Sequence, residues 1–379
     1  MTIEAETAQV RSWQTQFVEA LVPFLAVFTA VIIGAVVILV SAQLKAEEAV
    51  LTPWQTVIAA YRGLFEGMFG SKRATTETIV SSTPYILAGL AVALGFKCGL
   101  FNIGAEGQLY AGALFSVYVG YAWRGAPIYI HLPVALAAGA LGGALWGAIP
   151  GFLKARFGAH EVINTIMLNY IAVKTVDYLV KNVIRDPEAS LDRTRYVLDS
   201  AKLPILIPGT RLHSGFIIAL LAVGFVYWFL FRTTWGFEMR TVGANPSAAR
   251  YAGMSVTRNF VLAMALGGAL AGLAGAGEVL GLNHNLPAAF SSGYGFDSIA
   301  VALLAKSNPI GVIPAAFLWG ALRNGAGLMQ VRAGISIDLI NIVQALVIMF
   351  IAADQIVRWI YRIRARRAEE VVFTRGWGR

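Results

Sequence analysis

The sequence predicts an all-α, polytopic membrane protein with about ten transmembrane or re-entrant helices in two related halves. Of its 379 residues, 57% are hydrophobic and only 13% are charged, whereas soluble domains carry roughly 25% charged residues. The mean hydropathy is +0.66. Several apolar runs reach about 20 residues, the length of a helix that crosses a bilayer. The runs are continuous rather than alternating, which favours helices over a transmembrane barrel.

The apolar runs predict spans in the following order: 21–42, 82–100, 103–123, 131–153, 162–183, 213–231, 259–282, 297–305 with 309–329, and 335–357. The first run, VPFLAVFTAVIIGAVVILV, is long for a signal peptide, and the residues before it are net negative. We therefore interpret it as a retained helix. Glycines recur about four residues apart in AAGALGGALWGA and ALGGALAGLAGAGEVLG, which predicts close helix packing in lipid.

The net charge of +9 is better explained by membrane topology than by nucleic-acid binding. Seven basic residues lie between Arg358 and Arg379, directly after an apolar run. Because basic residues concentrate on the cytoplasmic side of a membrane, we expect both termini to be cytoplasmic in a cell-membrane protein. Lys174 falls inside the predicted span 162–183.

The stretch FKCGLFNIGAEGQLYAG interrupts the first half with polar residues at membrane depth. Asn102 can cap a new helix near Ile103, whose free N–H groups would then face the protein interior. Such a break persists only where it is buried or lines a cavity. The stretch therefore predicts a solute pathway lined by Phe101, Asn102, Glu106 and Gln108. The alternative is a cytoplasmic hairpin between two full spans, with Lys97 and Glu106 solvated.

A second interruption lies in the other half, at FDSIAVALLAKSNP, which is too short to span before Ser307, Asn308 and Pro309 break it. Paired interruptions point to the solute pathway of transporters built from repeats, and Asp297 is our candidate there. An ion-coupled carrier is an alternative function, because it needs a membrane-embedded acid. Its candidates are Glu106, Glu278, Asp297 and Asp338.

The polar segment 235–258 contains a compact helix signal. Asn245 suits the N-cap, Pro246 the first helical position and Gly253 the helix end. About two turns are too short to be stable alone in water. The helix must therefore pack on the loops of its own chain or bind a partner.

Here the chain resembles a known family. GANPSAARYAGMSV resembles the cytoplasmic coupling segment of ABC-importer permeases of the branched-chain amino acid, ribose and nucleoside group. GLFNIGAEGQLYAGAL, HEVINTIMLNYIA and GFDSIAVALLAKSNPIGVIPAA resemble its nucleoside-type members. The likeness covers about residues 80–357, and the extra N-terminal region resembles that of the longer of two permease partners.

The resemblance implies three regions. Residues 1–77 carry the first helix and an outer amphipathic segment, residues 78–357 form the permease core, and residues 358–379 form a basic cytoplasmic tail. ATPase subunits would bind the coupling residues, which are Asn245, Pro246, Ser247, Ala248, Ala249, Arg250 and Gly253. The other implied partners are a second permease, either a shorter homologue or a second copy, and an extracytoplasmic solute-binding protein.

The solute class implied is a nucleoside, with ribose or another simple sugar as the alternative. No P-loop pattern GxxxxGK[ST] occurs in the chain, so ATP would be bound by the partner subunits and this chain would not be an enzyme. HEVIN begins like a zinc motif but has Asn164 where the second histidine belongs. We therefore expect no metal site and no cofactor.

Overall fold

The computed structural model describes residues 13–44, 51–288, 290–291, 293–336, 338–352, 356–357 and 360–361. In this part of the chain, thirteen α-helices account for nearly all regular structure. In chain order they are α1 Trp13–Leu44, α2 Pro53–Phe69, α3 Lys72–Lys97, α4 Ala105–Ala122, α5 Ile128–Phe157, α6 Glu161–Tyr178, α7 Gly215–Arg232, α8 Thr234–Ala244, α9 Pro246–Tyr251, α10 Val256–Gly277, α11 Tyr294–Leu304, α12 Pro309–Ala333 and α13 Asp338–Ala352.

Within the described residues, five helical segments are long and apolar enough to cross a membrane. They are Phe24–Leu44 in α1, Lys72–Lys97, Ile128–Phe157, Gly215–Arg232 and Val256–Asn283, where a π-helical turn at Glu278–Asn283 extends α10. An all-helical, polytopic membrane protein is therefore confirmed. The basic tail 358–379 lies, apart from residues 360–361, outside the described residues, as do residues 1–12.

The helix α3 begins ten residues before the predicted span 82–100. The Oγ atom of Ser71 accepts a hydrogen bond from the N–H of Ala74 at 3.0 Å and caps the helix at Lys72. Because the capped turn is polar, hydropathy alone did not include it. The helix therefore continues across residue 77, which we had taken as the end of the N-terminal region.

The predicted break in the second half is present between α11 and α12. Lys306 and Ser307 have φ angles of 50° and 54°, in the left-handed region that ends helices. The Oδ1 atom of Asn308 then accepts a hydrogen bond from the N–H of Ile310 at 3.0 Å, and Pro309 occupies the first position of α12.

Helix α10 packs against α3, α4 and α5, and glycines set how closely. A Cβ atom on Gly112 of α4 would lie 2.2 Å from the Cα of Gly272 in α10. One on Gly143 of α5 would lie 2.1 Å from the carbonyl oxygen of Gly268. The predicted close packing by small residues is thus confirmed, because the backbones touch where only glycine fits.

Candidate functional site

The break after α3 is closed by a pair of amide side chains. The Nδ2 atom of Asn102 donates to Oε1 of Gln108, and Nε2 of Gln108 donates to Oδ1 of Asn102, each at 3.1 Å. The same Oδ1 accepts from the N–H of Gly104 at 3.0 Å. Both side chains are buried. In this conformation, both amide groups are occupied in holding the start of α4.

A third amide, Asn169 of α6, completes this cap. Its Oδ1 atom accepts from the N–H of Gly107 at 2.8 Å, and its Nδ2 donates to the carbonyl of Ile103 at 2.9 Å. Asn169 lies in the stretch HEVINTIMLNYIA and was not among the residues predicted for the solute pathway. Its polarity in an apolar run was the available signal, since buried polar groups need partners.

Glu106 connects the start of α4 to the start of α11. Its Oε2 atom accepts a hydrogen bond from the N–H of Gly295 at 2.6 Å, in the first turn of α11. The residue is only 4% exposed. A carboxylate is favourable at a helix N-terminus. The burial of Glu106 contradicts the hairpin alternative on one point, because that alternative had Glu106 solvated.

The turn that precedes this site lies against the coupling segment. Gly99, at φ 72°, packs its Cα on the backbone of Gly243 in α8, and a Cβ there would lie 3.1 Å from the Gly243 carbonyl oxygen. The Sγ of Cys98 donates to the carbonyl of Asn259 at 3.6 Å. The break thus begins beside α8 and ends at the contact with α11.

Asp297, on α11, belongs to a charged and aromatic cluster. Its Oδ2 atom accepts from the hydroxyl of Tyr85 at 2.9 Å and lies 3.6 Å from an Arg323 nitrogen. Arg323 also donates to the Tyr85 hydroxyl at 2.7 Å and lies over the ring of Tyr294. The side chains of Asp297 and Arg323 are 32% and 31% exposed. Sequence reasoning missed Tyr85, Tyr294 and Arg323.

Phe101 lies apart from the buried amides. It is 36% exposed, and its ring centroid is 5.1 Å from that of Phe96. The structure therefore pairs Asn102 with Gln108, and Glu106 is buried in the first turn of the same helix α4. Phe101 and Asp297 each retain an exposed surface. In the described residues, no group of three or more His, Cys, Asp or Glu could hold a metal ion.

The predicted short helix is present as α9. The Oδ1 atom of Asn245 accepts from the N–H groups of Ser247 and Ala248 at 3.0 and 3.1 Å. Gly253 follows with φ 81°. Ala249 is buried in this chain, whereas the other predicted coupling residues of the helix are exposed, namely Asn245, Pro246, Ser247, Ala248 and Arg250. A surface for a partner is therefore available on one side of α9.

Helix α8, which the sequence analysis missed, leads into α9. The Oγ1 atom of Thr233 caps it by accepting from the N–H of Gly236 at 3.1 Å. Glu238 of α8 accepts hydrogen bonds from the side chains of Asn259 and Arg258 in α10. These two contacts, the Asn259 amide first, hold the pKa of the Glu238 carboxyl below its ordinary value. The coupling segment is thus fixed to α10.

The chain is similar to known permeases over most of its length. It is 44% identical over 346 residues to the guanosine ABC transporter permease protein NupP of Bacillus subtilis, covering 90% of this chain and 95% of that protein. It is 36% identical over 308 residues to the glucose ABC transporter permease protein TsgB13 of Haloferax volcanii, covering 79% and 81%. It is 34% identical over 370 residues to the nucleoside ABC transporter permease protein NupB of Lactococcus lactis, covering 94% and 98%.

No solved structure matches the chain. A family model described as the branched-chain amino acid transport system permease component matches residues 74–352. That match contains both interrupted segments, the Asp297 cluster and the segment α8–α9. The chain therefore belongs to this family of ABC-transporter permease components, as a transport subunit without an ATPase domain.

Proposed function

We propose that this chain is a permease subunit of an ABC importer for nucleosides. The observation that carries the proposal is the 44% identity to a guanosine permease over 95% of that protein's length. Membership of an ABC permease family removes the ion-coupled carrier that the acidic residues had left open. A simple sugar remains a second candidate, because a glucose permease is 36% identical.

In this proposal the chain has about ten transmembrane or re-entrant helices in two related halves and lies in the cell membrane with both termini in the cytoplasm. Support comes from the basic tail and from the segment 235–258, which carries Arg240, Arg250 and Arg258 against Glu238. Single-cysteine labelling in a Cys98→Ser background tests the orientation. An impermeant reagent that reaches position 247 from outside intact cells would contradict it.

The proposed solute pathway runs past the meeting point of α4 and α11. Asp297 has exposed surface there, and Tyr294 and Arg323 extend the site beside it. Phe101 is exposed next to Phe96, in the turn before α4. A carboxylate accepts hydrogen bonds from ribose hydroxyls or from base N–H groups, and aromatic rings stack on bases. Asn102, Glu106 and Gln108 would shape the pathway by holding the two helix starts in place.

Helix α9 is proposed as the element that binds the ATPase. Ala248→Trp adds bulk on its exposed side, so we expect uptake and solute-stimulated ATP hydrolysis to fall while the membrane domain stays folded. Ala249→Trp is less suitable, because Ala249 is buried and overpacking costs about 1–3 kcal/mol. Ala137→Trp, at an exposed position of α5, is the matched control. If Ala248→Trp kept wild-type uptake and wild-type solute-stimulated ATP hydrolysis, α9 would not be the element that binds the ATPase.

The remaining partners are a solute-binding protein outside the cell and a second permease. Bacillus subtilis has a second guanosine ABC transporter permease protein, NupQ, to which this chain is 28% identical over 255 residues. A shorter homologue of that kind is the partner we propose, with a second copy of this chain as the alternative. Affinity purification from the native membrane, followed by mass spectrometry of the bands, distinguishes the two.

Uptake by the reconstituted complex tests the solute. We expect guanosine and related nucleosides, delivered by the cognate binding protein, to stimulate ATP hydrolysis and to accumulate in proteoliposomes. Glucose and ribose should do neither at the same concentration. Stimulation by glucose but not by guanosine would replace the nucleoside by the sugar and leave the permease function intact.

A further inference from the structure

Helix α2 carries an arginine within a row of exposed apolar side chains. The apolar members of the row are Trp54, Ile58, Phe65 and Phe69, and all four are exposed. Arg62 falls between Ile58 and Phe65 at the same helical spacing, and its side chain is 72% exposed. On α7, by contrast, the exposed large side chains are all apolar or aromatic, and the charged residue Arg232 stands at the helix end. Arg62 therefore has a role that an ordinary lipid-facing surface does not need.

A second arginine lies beside Arg62, where α2 touches α12. A Cβ on Gly63 would lie 3.1 Å from the Cα of Met329 and 3.3 Å from the Cβ of Arg332. The carboxylate of Glu66 holds both guanidinium groups, with Oε1 at 2.9 Å from Nε of Arg62 and Oε2 at 2.5 Å from a terminal nitrogen of Arg332. Two cations share one carboxylate, so the group keeps an excess of one positive charge.

A cavity of about 350 Å³ opens beside this pair of arginines. Its apolar wall is formed by Leu51, Ile58 and Ala59, and its polar wall by Gln55, Arg62 and Arg332. The Oε1 atom of Gln55 accepts a hydrogen bond from the N–H of Thr52 at 3.1 Å, which leaves its amide NH₂ group to donate. The side chains of the polar wall therefore present hydrogen-bond donors, which suit an anion, next to an apolar surface.

The cavity lies near one end of the apolar segment of α1. Ile38 of α1 belongs to one buried cluster with Val57 of α2 and Ala333 of α12, the residue after Arg332. The apolar segment ends at Leu44, which is about 9 Å further along the helix at 1.5 Å per residue. An arginine side chain extends roughly 6 Å, and long basic side chains in membrane proteins extend toward the headgroups. A lipid phosphate is therefore within reach of Arg332, in the last turn of α12.

We propose that the cavity between α2 and α12 binds the phosphate group of an anionic phospholipid with a single phosphodiester, such as phosphatidylglycerol. A guanidinium group binds phosphate through two parallel hydrogen bonds, and the one excess positive charge matches the single negative charge of the phosphodiester. The glycerol and the first acyl carbons would cover Leu51 and Ile58, which a free phosphate would leave bare. A zwitterionic lipid adds a cationic headgroup, which the two arginines repel.

Native mass spectrometry of the purified full-length protein tests the site. Phosphatidylglycerol should bind more tightly than phosphatidylethanolamine with the same acyl chains. Arg62→Gln and Arg332→Gln should each weaken the binding of phosphatidylglycerol on the order of tenfold, because each removes a charge-assisted hydrogen bond. Arg185→Gln is the matched control, since Arg185 is also an exposed arginine paired with a carboxylate, that of Asp192 at 3.2 Å, and it should bind like wild type.

A variant of opposite sign separates lipid binding from damage to the fold. Glu66→Gln removes the carboxylate that competes for both arginines, so the affinity for phosphatidylglycerol should rise on the order of threefold or more. Equal affinity in wild type and Arg332→Gln, or weaker binding in Glu66→Gln, would overturn the site. Equal binding of the two lipids would overturn the selection of an anionic headgroup. Binding of glycerol 3-phosphate as tightly as the lipid would replace the lipid by a soluble phosphate.

Discussion

The two interrupted helix starts, at α4 and at α11, are built in opposite ways. The start of α4 is capped by buried side chains from Asn102, Gln108 and Asn169, whose amides bond one another or the backbone. The start of α11 is capped by a carboxylate from the other half, Glu106, and continues into a cluster in which Asp297 keeps about a third of its surface exposed.

The difference separates structure from solute binding. A buried amide with all its hydrogen bonds made stabilises one geometry, and its loss leaves partners unpaired at about 1–3 kcal/mol. A charged pair with exposed surface keeps hydrogen-bonding capacity for a ligand. We therefore expect substitutions at α4 to change stability, and those at Asp297 to change solute affinity. The following predictions test that division, from the largest effect on stability to the smallest.

The contact between the two starts should tolerate no added atom. A Cβ on Gly295 would lie 2.2 Å from the backbone nitrogen of Glu106. Gly295→Ala should therefore destabilise the membrane domain by about 3 kcal/mol and abolish uptake. The measurement is thermal unfolding of the purified protein followed by size-exclusion chromatography. Gly224→Ala, where a Cβ meets nothing within 4 Å, should melt like wild type. Equal melting of both variants would sink the prediction.

Glu106→Gln removes the charge at the start of α11 but keeps an acceptor. We expect a loss of about 1–2 kcal/mol in unfolding free energy, because a charge-assisted bond at a helix N-terminus becomes a neutral one. The exposed loop residue Glu188 provides the control substitution Glu188→Gln. Wild-type stability with an altered solute preference would instead assign Glu106 to solute binding.

The amide pair of Asn102 and Gln108 should behave as one unit. Alanine at both positions should cost less than the sum of the two single losses, with a coupling energy of about 1 kcal/mol. Asn102→Ala should be the more harmful single change, because it also frees the N–H of Gly104. The coupling energy is measured by chemical unfolding of the wild type, the two single variants and the double variant, which together form a double-mutant cycle. Additive losses would show that the amides act independently.

Asp297→Asn should have the smallest effect on stability and a clear one on transport. The pair with Arg323 is partly exposed, so we expect its loss to cost less than about 1 kcal/mol. The guanosine concentration for half-maximal uptake should rise on the order of tenfold, which corresponds to about 1.4 kcal/mol. A large drop in melting temperature with unchanged uptake kinetics would place Asp297 with the structural residues.

Local features could be predicted from the sequence, and contacts between distant segments could not. Asn245, Pro246 and Gly253 specify α9 through backbone chemistry within a few residues, and the break at Asn308 is of the same kind. The contact of Glu106 with Gly295 joins residues that are 189 positions apart in the sequence. The hydrogen bond between Arg323 and Tyr85 joins residues that are 238 positions apart. Such pairs depend on how whole helices pack, for which hydropathy and capping patterns carry no signal.

The backbone contact between Gly99 and Gly243 couples the turn after α3 rigidly to helix α8. A Cβ on Gly243 would lie 2.3 Å from the carbonyl oxygen of Lys97 and 2.9 Å from the nitrogen of Gly99, so not even a methyl group separates the chains. Helix α8 therefore has no room to approach the end of α3. A displacement of α8 toward α3 must therefore also move the turn at Gly99, because no side chain lies between them that could change its conformation instead.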